Sequence, residues 1–130
     1  MRISNYLKTK IIDCTLRGIA YTPPTTHYLA LYTTDPTDTD IGTEVVGVTG
    51  APYVRQPITF DADALGFTQN SSDIIFGVTG STWGNITHIG IRDALTGGNL
   101  LYHSELTIPR NVVDSMQLEF LKGQIDLSIT

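Results

Sequence analysis

Apolar and polar residues alternate along most of this chain, and only the first segment carries a helical period. The clearest alternation runs from Ser81 to Leu106 in two stretches. Before Asp93, Trp83, Ile89 and Ile91 fall on one face, with Ile86, His88 and Arg92 on the other. After Asn99, Leu100, Tyr102 and Leu106 oppose Leu101, His103 and Glu105. Between them lies Thr96-Gly97-Gly98-Asn99, whose consecutive glycines reach positive φ without steric cost, so the stretch predicts an antiparallel hairpin.

The helical period precedes it. Ser4 or Asn5 is placed to cap a helix over 4–17, and Gly18 suits the position just past its end. Ile3, Leu7, Ile11 and Cys14 fall on one stripe, which Ile12 and Leu16 broaden. So wide an apolar arc has to dock, either on the sheet as an ordinary core helix or on another copy of the chain. Cys14 reads as a small buried hydrophobe within it. Tyr21-Thr22-Pro23-Pro24 is a stiff extended connector. His27–Thr33 follows as a central strand with His27, Leu29 and Leu31 on one face. Residues 35–50 form a long polar loop with a possible edge strand over Glu44–Val48.

Further strands are predicted at Tyr53–Phe60, with Val54, Gln56, Ile58 and Phe60 on one side and Pro57 marking an edge or bulge, and at Asp73–Val78, beyond a turn region over Asp61–Ser72. Pro109–Val113 leads into Met116–Leu121. The last strand, Gln124–Thr130, sets Ile125, Leu127 and Ile129 inward. The fold expected is mainly β: one domain over residues 1–130, with a helix at 4–17 and an antiparallel β-sandwich of seven to eight short strands over 27–130.

Composition narrows the function. Only 16% of the 130 residues are charged, below the usual quarter, and the net charge is −5. Lys8, Lys10 and Arg17 are the densest basic group, which argues against a nucleic-acid partner. No run approaches a membrane span or a signal-peptide core, so synthesis and folding in a cytosol are expected, with no membrane partner. A lone cysteine forms no intrachain disulfide.

Candidate chemistry is sparse. Asp35, Asp38, Asp40 and Glu44 could surround calcium if their loop wrapped round it, but their spacing is not that of an EF-hand, and a solvated polar loop is the simpler expectation. His27, His88 and His103 lie on predicted strands without ligand spacing, although the hairpin could bring His88 and His103 together. Asp93 and Glu105 could form a glycosidase pair, but nothing selects them from the other acids. There is no nucleophile elbow or phosphate loop. The sequons at Asn70 and Asn85 read as chance matches. Trp83 and the tyrosines fit core and interface aromatics better than a sugar-binding face. Neither an enzyme nor a cofactor or metal site is expected.

Three stretches resemble a family of small tailed-bacteriophage structural proteins, often labelled tail-fibre or minor structural proteins. They are SNYLKTKIIDCTLRGIAYTPPTTHYLALYTTDPTDTDIGTEV at 4–45, YVRQPITF at 53–60 and STWGNITHIGIRDALTGGNLLYHSELT at 81–107. Cys14 and the Val48–Pro52 segment depart from the family's pattern. The resemblance implies a non-enzymatic virion component used in many symmetric copies. The compact chain, without a shaft, suits a capsid decoration or cement protein, a trimer by expectation, bound to the major capsid protein. The alternatives are a tail or tail-fibre component and a carbohydrate-binding module. Ile3, Leu7, Ile11, Tyr21, Pro23, Pro24, Asp35, Asp38, Asp40, Trp83 and His88 are the expected contact residues.

Overall fold

The structure, a computed structural model, describes residues 1–46, 53–77, 82–113 and 115–129. Its elements are β1 (Arg2–Ile3), α1 (Asn5–Leu16), β2 (His27–Tyr32), β3 (Gln56–Ile58), β4 (Phe67–Gln69), β5 (Ile74–Phe76), β6 (Gly84–Arg92), β7 (Leu100–Val112), β8 (Leu118–Phe120) and β9 (Asp126–Ser128). Five strands form one antiparallel sheet in the order β1-β7-β6-β2-β3, and β4-β9 and β5-β8 are two short antiparallel ladders. The expected class, mainly β and antiparallel with one N-terminal helix, is what the chain adopts.

The β6–β7 hairpin is the centre of the sheet. Gly97 and Gly98 both take positive φ, as the paired glycines require, although the connection spans residues 93–99 and is wider than a tight turn. Asp93 shapes it by accepting from the Asn99 backbone N–H at 2.6 Å and from Asn99 Nδ2 at 2.9 Å. Strict alternation fails at one point. Ile86 faces the same core as Ile89 and Ile91, and the break coincides with an irregular register in which residues 106–109 of β7 oppose Thr87 alone. Pro109 sits in this irregular stretch, where its missing N–H interrupts no regular ladder.

One face of the sheet carries the core. Leu29, Leu31, Ile89 and Ile91 pack against Ile58, Ile74, Phe76, Leu118, Phe120 and Ile125 from the short ladders and their flanks. Trp83 closes one side, edge-on to both Tyr53 and Phe76. Pro57 lies on β3, the strand at the sheet's edge, as its lost donor demands. Asn70 is fully buried and joins three segments. Its amide donates to the Ser72 and Leu121 carbonyls, and its oxygen accepts from the Ile125 N–H.

Several sequence expectations are corrected. β4 falls inside the stretch expected to be turn, because its three residues pair with β9. Ile129 is about half exposed rather than inward. Glu44 makes a single bridge to Tyr32 in place of an edge strand, and Val48–Pro52 and Val78 lie outside the described residues.

The helix is the largest correction. Ser4 caps it, accepting from the Leu7 N–H, and Gly18 follows its end with φ +68°. Leu7 alone among its residues is buried, and Cys14 is exposed. Ile11, Ile12 and Leu16 are 36, 52 and 79% exposed. An ordinary core helix is therefore not what forms. The sheet face beneath it is already covered by the loop after β2, leaving room for one helical turn. No helix of the described residues is long and apolar enough to cross a membrane.

Candidate functional site

The second face of the sheet is where the polar residues gather. Parity along β2, β6 and β7 points Tyr32, His88, Gly90 and His103 away from the core. Gly90 lets side chains pack closely against this face: a Cβ there would come within 2.8 Å of both Leu100 Cδ1 and Tyr32 Cε2. The loop of residues 33–44 lies across it.

Each acid of that loop meets a partner from another element. Asp40 forms a two-pronged pair with Arg92, at 2.8 and 2.9 Å, and Arg92 also donates to Tyr32 Oη at 2.9 Å and to the Gly98 carbonyl at 3.0 Å. Burial pulls the Arg92 guanidinium down, but hydrogen bonds with Asp40 and Tyr32 outweigh it and hold its pKa above the ordinary value. Burial likewise raises the Tyr32 phenol. Glu44 is held in the same forked manner by Arg55, at 2.8 and 2.7 Å, and Arg55 reaches on to the Ala94 and Gly97 carbonyls. Tyr53 donates to Glu44 at 2.9 Å and accepts from the Leu31 N–H; its burial, with the Glu44 charge adding, raises the phenol. Two nearly buried arginines thus fasten the acidic loop to the hairpin loop at 93–99.

Asp38 works at the other end. It accepts from Lys8 of α1 at 2.5 Å, contacts His103 Nε2 at 2.7 Å and lies 3.6 Å from Arg2. The Lys8 hydrogen bond first, then that of His103, lower its carboxyl to about 2 against the opposing effect of burial. Asp35 accepts from the Thr37 N–H and stands 3.9 Å from His88 Nε2 and 4.0 Å from His103 Nδ1. The two hairpin histidines are therefore brought to one carboxylate. Among the described residues, no group of three or more His, Cys, Asp or Glu side chains is arranged to hold a metal ion. The loop expected to be solvated does keep Thr34, Asp35, Thr39 and Thr43 exposed, and it is also a strap stapled by ion pairs.

Asp93 and Glu105 do not converge. Glu105 pairs with His88, five residues along β6 from Asp93, a separation of roughly 16 Å at the strand rise. Of the expected contact residues, Leu7 and Trp83 are buried within this chain, whereas Ile11 and Pro23 are exposed and Ile3, Tyr21, Pro24 and His88 are half-buried. Sequence reasoning missed Arg55 and Tyr53. The available signal was an arginine in a strand-like run near an acidic loop, but the partner could not be chosen.

What these arrangements offer is mechanical rigidity, with the loop's acids engaged by arginine, lysine and histidine side chains. A family model described as "Podophage GP4 fiber I protein gp80" matches residues 2–128. The chain belongs to this family. The gp80 fibre family is one of phage structural proteins, in keeping with the resemblance read from residues 4–45, 53–60 and 81–107. A comparison with curated proteins returns no match. Within the gp80 frame, the matched span takes in the strapped sheet and the protruding helix alike.

Proposed function

We propose that the protein is a non-enzymatic component of a podophage fibre, joined to other virion proteins through α1 and the connector that follows it. The observation that carries this reading is the gp80 fibre-family match over residues 2–128. It favours a fibre location over capsid decoration, the first expectation from the chain's compactness. The exposed Ile12, Leu16 and Ile19 at the free end of α1 support the contact role, because an apolar surface left by folding is what assembly with identical or different subunits covers. A homo-oligomer, with a trimer as the first case to examine, is part of the proposal.

Quantitative mass spectrometry of purified particles, referenced to the major capsid protein, tests it. A few copies per particle, with antibody label at the tail by electron microscopy, is the result expected. A ratio near that of the capsid protein moves the chain to shell decoration, and absence from particles removes both virion readings.

A further inference from the structure

A second concave feature lies at the end of the core, where the main sheet and the β4–β9 ladder part. The cavity has a volume of about 230 Å³. Ile91 and Leu127 contribute apolar surface, and Phe60, Tyr102, His27, Asp61, Asp63 and Thr68 also line it. Two of these residues are unusual for a core end. His27 occupies the core-face parity of β2, two residues before Leu29, and Tyr102 lies directly opposite Ile91 on β7.

Both are half-buried, and neither the His27 imidazole nor the Tyr102 hydroxyl makes a hydrogen bond to the protein among the described residues. Among the described residues no buried side-chain nitrogen or oxygen lacks a partner, so these polar atoms reach solvent, and a ligand hydroxyl can replace the water that serves them. Burial lowers the His27 imidazole, with Asp93 opposing, so at neutral pH the ring is uncharged and offers one donor and one acceptor. Burial also raises the Tyr102 phenol, which stays a donor.

The rest of the lining restricts the occupant. Asp61 and Asp63 bring two carboxylates against the single α-amino group of Met1, which also lines the cavity, so the balance of charge is negative and disfavours an anion. Asp63 uses one oxygen to accept from the Gly66 N–H, and Asp61 accepts a single long bond of 3.3 Å from Gln69, so each retains acceptor capacity. A purely apolar occupant would leave these groups and His27 unmatched. A ligand with hydroxyls round its rim and C–H groups on its faces matches both parts, with the rings of Phe60 and Tyr102 meeting the faces. The volume is below the roughly 300–1,000 Å³ of sites for drug-sized ligands, which suits one ring.

We propose that this cavity binds a single neutral pyranose unit, with His27, Tyr102 and the two carboxylates hydrogen-bonding its hydroxyls and Phe60 packing against its face. The proposal rests on the cavity alone and is independent of where the protein sits in a virion.

Chemical-shift mapping on the full chain tests it, with D-glucose, D-galactose and N-acetyl-D-glucosamine titrated separately. At least one should give saturable shifts centred on residues 27, 60–68, 91, 102 and 127, with a dissociation constant of about 1 mM, as expected for so few heavy atoms. Tyr102→Phe removes a hydroxyl that bonds nothing in the protein, so the fold should be unchanged while the sugar binds about fivefold more weakly. Phe60→Leu keeps an apolar side chain and should weaken binding by a similar factor. The proposal is overturned if none of the three sugars gives saturable shifts, if the shifts centre elsewhere, or if Tyr102→Phe binds like the parent. Because the isolated protein is used, failure here leaves the fibre reading standing, and the particle copy number does not bear on this site.

Discussion

Arg92 shows how one side chain connects three parts of the molecule. Its guanidinium reaches the acidic loop through Asp40, β2 through Tyr32 and the hairpin loop through the Gly98 carbonyl, while only 7% of the residue is exposed. Breaking a buried pair by removing one partner leaves the other uncompensated, typically at a cost of about 3 kcal/mol or more. Asp40 is exposed, so no buried charge is left behind, and Arg92→Met should cost about 2 kcal/mol in urea unfolding through its lost charge-assisted hydrogen bonds. Arg92→Lys should lose part of that, because a single ammonium does not reproduce the fork. A Met variant within about 0.5 kcal/mol of the parent would show that the strap does not depend on this residue. From sequence, Arg92 was placed correctly on the polar face of its strand. Its acid partner lies 52 positions away, and alternation carries no information about pairing at that distance.

At the scale of elements, α1 divides into a docked turn and a free end. Ser4, Lys8 and Leu7 fix the first turn, whereas Ile12, Leu16 and Cys14 face outward. Leu16→Lys should leave stability within about 0.5 kcal/mol, as for other exposed sites, while sharply reducing incorporation into particles in a complementation assay. Normal incorporation would separate the helix from assembly. The Cys14 thiol should react freely with a thiol reagent in the isolated protein and be protected in the particle. Helix existence, cap and stop were legible in residues 4–18, as was the hairpin in 81–106, because periodicity and capping are local. Which side of the helix would be covered was not, since that depends on the acidic loop having already occupied the sheet. The irregular register at Thr87 was hidden for a related reason: one break in alternation reverses a face without altering composition. The sugar-sized cavity had one visible trace, His27 in a core-facing register, but its walls come from strands up to 100 residues apart.

For the whole molecule, Asp38 links pH to the attachment of the N-terminal segment. Its carboxyl falls from 3.8 to about 2 in the folded chain. Between those values the unfolded chain holds a proton that the folded chain releases, so stability rises with pH there. The contribution is complete above about pH 4 and disappears as pH falls through about 2. Solvent screening at the loop keeps it modest. Urea midpoints measured over this window should fall more steeply for the parent than for Asp38→Asn, and parallel curves would remove Asp38 as the cause.

The first residues of the chain are stitched to nearly the last part of the sheet to be made. Ser4 donates to the Leu100 carbonyl, its N–H bonds to the Leu101 carbonyl, and Arg2 and Ile3 pair with His103 and Tyr102. During synthesis the helix leaves the ribosome well before β7, and the strand that docks it is not in place until residue 103 has followed. A 12-residue helix is marginal alone. Its apolar side is thus unguarded while most of the chain is translated, and its free end stays partly exposed in the finished protein.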